Sequence, residues 1–294
     1  MSRVAVIGVG TMGLPMARHL LAAGNDVIGC DVDPGRVEAL GALGAASPGE
    51  AAAAADAVLL SLSSAEAVED VVLGEHGVRS GARPGTLLVD MSTSPPSLAR
   101  RLAAECPELD VLDAPVSGGP RGAAEATLTI MVGGTEDAFV RAGPLFETLG
   151  RLVVLVGGHG AGQAAKLCNN LIAGATMAAV SESCAIAVAE GLDPGTLYEL
   201  LTASTGDSRV LRTRYPLPGV DVAHPASNAF APLFALDLIA KDLALARELA
   251  ADHGVEVPVA DAALDAYRAA QRDGRGALDY SAVYRRGDGP EASD

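Results

Sequence analysis

The feature that most constrains this chain is the tract GVGTMG at residues 8–13, because of what stands on either side of it. The β-rich run RVAVIGVG (3–10) leads into it, and the helical pattern LPMARHLLAAG (14–24) follows directly. With 34 glycines in 294 residues, G-x-G-x-x-G alone arises easily; a strand passing through it into a helix does not. That order opens a βαβ unit built to hold a dinucleotide. Gly8 allows the tight turn, Gly10 lets the backbone approach a pyrophosphate, and Gly13 lets the helix pack closely on the strand. Thr11 and Met12 complete the turn, and the helix start offers free amides and a positive dipole end to the phosphates.

Asp31 closes the next β-rich run, DVIGCD (26–31), 18 residues past Gly13. A carboxylate there accepts hydrogen bonds from the adenosine ribose hydroxyls and repels a 2′-phosphate. Asp33 adds a second negative charge, and Arg36, a turn into the following helix, is the nearby cation that a phosphate would use. The balance predicts NAD over NADP. A plain turn or helix-capping role for Asp31 is the competing reading.

Further β-rich runs follow at AVLLSL (57–62), TLLVDM (86–91), DVLDAPV (110–116), TLTIMVGG (127–134) and RLVVLVG (151–157). Several are nearly unbroken Val, Leu and Ile, as strands covered on both faces should be. Helical segments separate most of them, which predicts a largely parallel sheet, with the direction of the last two strands left open. After GGHGAG (157–162) the β signal ends. Residues 163–190 read as one apolar helix without proline, closed by Gly191 and spanning about 40 Å. Helical runs at 194–204, 232–253, 258–273 and 279–285 follow, with RYPLPGVDVAHPAS (214–227) as an irregular connection. The expected fold is an α/β N-terminal Rossmann-type domain (1–162), a long interdomain helix (163–191) and an all-α C-terminal domain (192–285), before a polar tail (286–294) expected to fray.

Charge and composition narrow the partners. A formal charge of −16 opposes broad contact with a nucleic-acid backbone, and 3% aromatics, without Trp, leave no stacking platform and imply a core of Ala, Val and Leu. Cys30, Cys106, Cys168 and Cys184 form no Cys-x-x-Cys pair and match no His spacing, so no metal site is expected. Cys168 and Cys184, sixteen residues apart on the long helix, would lie about 24 Å apart, beyond a disulfide. Reduced thiols in a cytoplasmic setting fit this pattern. Glycines interrupt the N-terminal apolar run, no stretch of 18 residues is purely apolar, and neither a signal peptide nor a membrane span is expected.

The apolar tract GQAAKLCNNLIAGATMAAV (162–180) carries a single ammonium group. Lys166 is the one formally charged residue between Arg151 and Glu182; Asn170 stands a turn beyond it on the same face, with Asn169 turned away by about 100°. Two readings fit: a snorkelling lysine whose stem covers apolar surface, or a partly desolvated amine kept for proton transfer. A dinucleotide domain beside a helical one implies a cleft bordered by the long helix. An amine there, beside a cationic nicotinamide, has its pKa lowered and can take a hydroxyl proton as hydride leaves the carbon, while Asn170 shares the substrate oxygen. Ser117-Gly118-Gly119, within DAPVSGG, reads either as a nest of amides for a carboxylate or as an ordinary Gly/Pro loop. Lys241-Asp242, opening KDLALARELA (241–250), reads in isolation as a solvated charged face.

Together, GVGTMGLPMARHL, DAPVSGGPRGA with TLTIMVGG, GHGAGQAAKLCNNL and KDLALA resemble the β-hydroxyacid dehydrogenase family in order and spacing, over the chain to about residue 285. YPLPGV (215–220) and FALDLIAKDLALA (234–246) are most similar to its 3-hydroxyisobutyrate branch. The resemblance implies NAD(P)-dependent oxidation of a 3-hydroxy acid to its semialdehyde, as in valine breakdown. It implies Lys166 as the proton-transfer residue, Asn170 as a substrate-orienting one, and Ser117, Gly118 and Gly119 as substrate-binding. Thr93, in MSTSP, and Lys241 match positions at the nicotinamide end of the cofactor. The implied partners are a small carboxylate-bearing hydroxy acid or semialdehyde and further copies of the chain, as a homodimer or homotetramer. Two departures stand out: Ala126 replaces a common glycine, and TGDSRVLRTRY (205–215) has Arg209, Arg212 and Arg214 where the branch has an aromatic residue. An arginine facing the cleft would suit a more acidic or larger substrate. The rival readings are a tartronate- or succinic-type semialdehyde reductase, whose frequent NADPH use Asp31 opposes; an imine reductase, which usually lacks the lysine; and a non-catalytic NAD-binding protein, which needs no Lys166–Asn170 pair.

Overall fold

The structure is a computed structural model that describes residues 2–284, so the tail expected at 286–294 lies outside the described residues. The strands are β1 (Arg3–Ile7), β2 (Asp26–Cys30), β3 (Leu43–Gly44), β4 (Ala57–Leu60), β5 (Leu87–Asp90), β6 (Asp110–Asp113), β7 (Val116–Ser117), β8 (Leu128–Gly134) and β9 (Gly150–Gly157). The helices between them are α1 (Gly13–Ala22), α2 (Pro34–Leu40), α3 (Pro48–Ala53), α4 (Ala65–Leu73), α5 (Val78–Gly81), α6 (Pro96–Glu105), α7 (Gly119–Ala124) and α8 (Glu136–Leu149). After β9 come α9 (Ala161–Ala189), α10 (Pro194–Thr202), α11 (Arg209–Arg214), α12 (Leu236–Asp252) and α13 (Pro258–Arg272).

β1 to β6 form a parallel sheet in the order β3-β2-β1-β4-β5-β6. The two strands whose direction the sequence left open run the other way: β8 is antiparallel to β6 and β7, and β9 lies parallel to β8 on its far side. The near-continuous apolar runs have the expected cause, since alternate residues serve opposite faces. Val4, Val6, Leu59 and Val89 enter one core with Met16, Leu20 and Phe146, whereas Ala5, Ile7, Val58 and Leu88 enter another with Val68 and Val72. The run expected to continue from 110 to 116 breaks after Asp113 at Ala114-Pro115, because proline has no N–H for the ladder. β3, two exposed residues, had no pattern by which to be read.

The chain divides into two compact units, the first ending at Lys166 and the second beginning at Leu167. The second has its own core, in which Met177, Val180 and Cys184 of α9 meet Leu211, Ile239, Leu243, Leu264 and Tyr267. The expectation of an aliphatic core holds poorly there, since all five tyrosines of the chain (198, 215, 267, 280 and 284) belong to this unit. Two helical assignments need correction. Of the helical run expected at 279–285, the described residues 279–284 contain a single 3-10 turn, Tyr280–Val283, and α12 starts at Leu236 rather than 232. Both follow from Asp279, fully buried, whose carboxylate accepts the amides of Leu233, Phe234 and Ser281 and so holds both segments out of helical pairing. Conversely, α11 forms inside the arginine-rich segment, capped by Ser208, whose hydroxyl accepts from Leu211 N at 3.0 Å. By length and composition α9 is apolar enough to cross a bilayer; here its first turn is seated among the strand ends of the first unit and its middle in the core of the second.

Candidate active site

The strand order reverses between β1 and β4, and the glycine turn lies there. Gly8, at φ 89°, has no room for a side chain, since a Cβ would stand 2.3 Å from Ser61 O beyond β4. At Gly13 a Cβ would stand 1.8 Å from Gly8 O, so α1 can start this close to the turn only with glycine. Gly10 differs, because only the Arg36 guanidinium comes near, at 3.5 Å, and its outer face is open. Thr11 is exposed and Met12 half-buried against the core. No side chain caps α1, whereas α3, α4 and α8 are capped by Ser47, Ser64 and Thr135. An uncapped helix start above an open glycine suits an anion, and the residues here fit a dinucleotide pyrophosphate.

Asp31 is drawn into this turn. Its Oδ2 accepts from Val9 N at 2.7 Å and its Oδ1 from Asp33 N at 2.9 Å, and the side chain is only 4% exposed. It is thus a turn-holding residue, whatever else it binds. Arg36 lies 3.7 Å from Asp31 and 3.5 Å from Asp33, so the nearby cation is shared between two carboxylates.

A second group of residues gathers at the ends of β5, β6 and β8. Ser92 N donates to Asp90 Oδ1 and Ser92 Oγ accepts from Leu62 N, which fixes the turn that carries Thr93. Asp113, buried at the end of β6, accepts the first amides of α9, from Gly160 N at 2.7 Å and Gln163 N at 2.9 Å. Burial pushes its carboxyl above the ordinary range, and those two amides pull it part of the way back. Gly133 and Gly162 make the junction tight: a Cβ on Gly162 would stand 2.4 Å from Met131 O and 2.6 Å from Asp113 O. Lys166 follows one turn into α9 and is 8% exposed. Ser117 ends β7, paired with Thr129, and Gly118 and Gly119 follow at φ 138° and 61°, a conformation for which glycine is suited.

In the second unit Asn170 and Lys241 converge on one carboxylate. Asn170 Nδ2 donates to Asp242 Oδ2 at 2.5 Å, and Lys241 Nζ lies 2.8 Å from Asp242 Oδ1. Asn169 does not point elsewhere; its Nδ2 donates to Asn170 Oδ1 at 2.9 Å. Asp242 is 1% exposed, so Lys241-Asp242 is not a solvated face. Two of the three arginines are engaged. Arg212 pairs with Asp207 at 2.7 Å, and Arg214 stacks 4.9 Å over the Tyr280 ring, 3.5 Å from Asp279. Arg209 is exposed. The site residues missing from the sequence reading are Asp113 and Gln163, whose partners lie 47 to 71 positions away in the chain.

Residues 3–158 match the family described as the NAD binding domain of 6-phosphogluconate dehydrogenase, and residues 160–286 match the family described as NAD-binding of NADP-dependent 3-hydroxyisobutyrate dehydrogenase. An NAD-dependent L-serine dehydrogenase of Pseudomonas aeruginosa is 40% identical over 290 residues, 97% of each chain. A 3-hydroxyisobutyrate dehydrogenase of the same organism is 42% identical over 251 residues, 84% of each. The solved structure of Mycobacterium tuberculosis 3-hydroxyisobutyrate dehydrogenase with L-serine is similar at a TM-score of 0.89 and 38% identity, over 97% of this chain and 98% of that one. Fold and similarity together define an NAD(P)-dependent oxidoreductase acting on hydroxy acids. The chain belongs to the β-hydroxyacid dehydrogenase family.

Proposed function

We propose that this protein oxidises a 3-hydroxy acid, 3-hydroxyisobutyrate first among them, to its semialdehyde with NAD, as a cytoplasmic enzyme of valine breakdown. The observation that carries the reading is a buried lysine one helical turn before an asparagine whose amide is oriented on both sides, by Asp242 and by Asn169. Lys166 takes the substrate's hydroxyl proton at Nζ, and the remaining N–H of Asn170 holds the same oxygen. Ser117 and the amides of Gly118 and Gly119 take the carboxylate. A bound dinucleotide supplies the hydride acceptor; Gly8 to Gly13 and Asp31 hold it, with Thr93 and Lys241 at its nicotinamide end. NAD is preferred because Arg36 is occupied by Asp31 and Asp33, which leaves a 2′-phosphate facing net negative charge.

Lys166→Ala tests the reading. Turnover should fall by about 10²–10⁴-fold with dinucleotide binding little changed; near-normal turnover would remove Lys166 from the chemistry. The substrate is tested by kcat/KM for 3-hydroxyisobutyrate, 3-hydroxypropionate, serine and glycerate. The 40% identity to an L-serine dehydrogenase supports serine as the second candidate, and a higher kcat/KM for serine would move the name to it. The reading includes a homodimer or homotetramer. Ile172, about two-thirds exposed on α9, lies in a stretch free of acidic residues from 148 to 181 in a chain of charge −16, and Ile186, equally exposed, follows on the same helix. A purified protein that sediments as a monomer at micromolar concentration would refute the oligomer.

A further inference from the structure

We propose that Gln163 is a positioning residue for this reaction: its carboxamide ties the Thr93 turn to the first turn of α9 and so sets where Lys166 stands relative to Thr93. The proposal rests on the reading of Lys166 as the proton-transfer residue. Gln163 is fully buried. Its Oε1 accepts from Ser94 N at 3.0 Å and its Nε2 donates to Ser92 O at 2.9 Å, so one carboxamide grips the residues on both sides of Thr93. Lys166 lies three residues further along α9, on the same side of the helix.

Neither element needs this side chain for its own sake. The start of α9 is already closed by Asp113, through Gly160 N and the backbone amide of Gln163 itself. The Thr93 turn is already held by Asp90 and by Leu62 N on Ser92 Oγ. What the carboxamide adds is the spacing between them. It also explains why glutamine is required, since the side chain must accept from one peptide group and donate to another. Leucine would strand both Ser94 N and Ser92 O in a dry interior. An ionised glutamate would keep the bond to Ser94 N and set its second oxygen against Ser92 O. A protonated glutamate would restore the pattern by donating its O–H to Ser92 O.

The test uses Gln163→Leu, Gln163→Glu and Lys166→Ala, singly and combined, on the full-length protein, with thermal midpoints read alongside. Gln163→Leu should lower kcat by on the order of 10²-fold, the scale of a misplacement of about 1 Å. NAD affinity should stay close to that of the unaltered protein, and the primary deuterium isotope effect on kcat should rise as hydride transfer becomes limiting. Gln163→Glu, which keeps the Ser94 bond and so the folded state, should regain turnover relative to the unaltered protein as pH falls. In the Lys166→Ala background the Gln163→Leu loss should disappear, because nothing remains to be positioned. A near-normal kcat in Gln163→Leu, an undiminished loss in the Lys166→Ala background, or no acid recovery in Gln163→Glu would overturn the proposal. Near-normal turnover in Lys166→Ala alone is a different result; it removes the functional reading and this proposal with it.

Discussion

Ala126 shows at the scale of one residue how a departure in sequence becomes physical. It replaces the glycine that the resemblance implies at this position, and its φ of 53° lies in the left-handed region, where a Cβ crowds the following carbonyl. Ala126→Gly should raise stability by about 0.5–1 kcal/mol, relief of that crowding outweighing the entropy of a freer unfolded chain. Chemical denaturation at unchanged activity is the check, and a lower midpoint would be the contrary result. Asp31 carries a different lesson. Its position past the glycines was legible, but its hold on Val9 N and Asp33 N was not, because a side chain's local hydrogen bonds leave no trace in spacing. Asp31→Asn should therefore act twice, loosening the glycine turn and shifting the ratio of kcat/KM from NAD toward NADP. An unchanged ratio would assign discrimination to Asp33 and Arg36 alone.

At the scale of elements, what was legible is what repeats. Strands buried on both faces write long apolar runs, and α9 writes an unbroken helical one. What was not legible depends on partners distant in sequence. The 3-10 turn at Tyr280–Val283 and the late start of α12 both answer to Asp279, and α11 is a single capped turn-and-a-half among arginines. The candidate site divides in the same way. Gly8, Gly10, Gly13, Lys166 and Asn170 could be read from motif and period, whereas Asp113 and Gln163 look like any polar residue until the fold brings their partners to them. Gly162 offers a test at this scale. Gly162→Ala would push a methyl to within 2.4 Å of Met131 O, so the first turn of α9 must move. A loss of about 1–3 kcal/mol in stability is expected, with kcat falling further than the folded fraction. Crystals showing α9 unmoved with full activity would contradict this account of how the helix is seated.

The whole molecule is acidic and its thiols are unequal. Cys30, Cys106 and Cys184 are buried, and burial raises all three, Cys184 to about 11, while Cys168 is exposed. One thiol should react quickly with excess reagent at pH 8 and the other three only after unfolding, as peptide mass spectrometry would show. Rapid modification of Cys184 in folded protein would mean that the helical unit opens more readily than its packing implies. A last consequence follows from where the two compact units meet in the chain, within α9 and just after Lys166. A recombinant spliced at that joint from two parents would inherit its ammonium group from one and its asparagine, Asp242 and Lys241 from the other. On the proposed function, such a recombinant would draw its proton-transfer residue and its substrate-orienting residue from different parents.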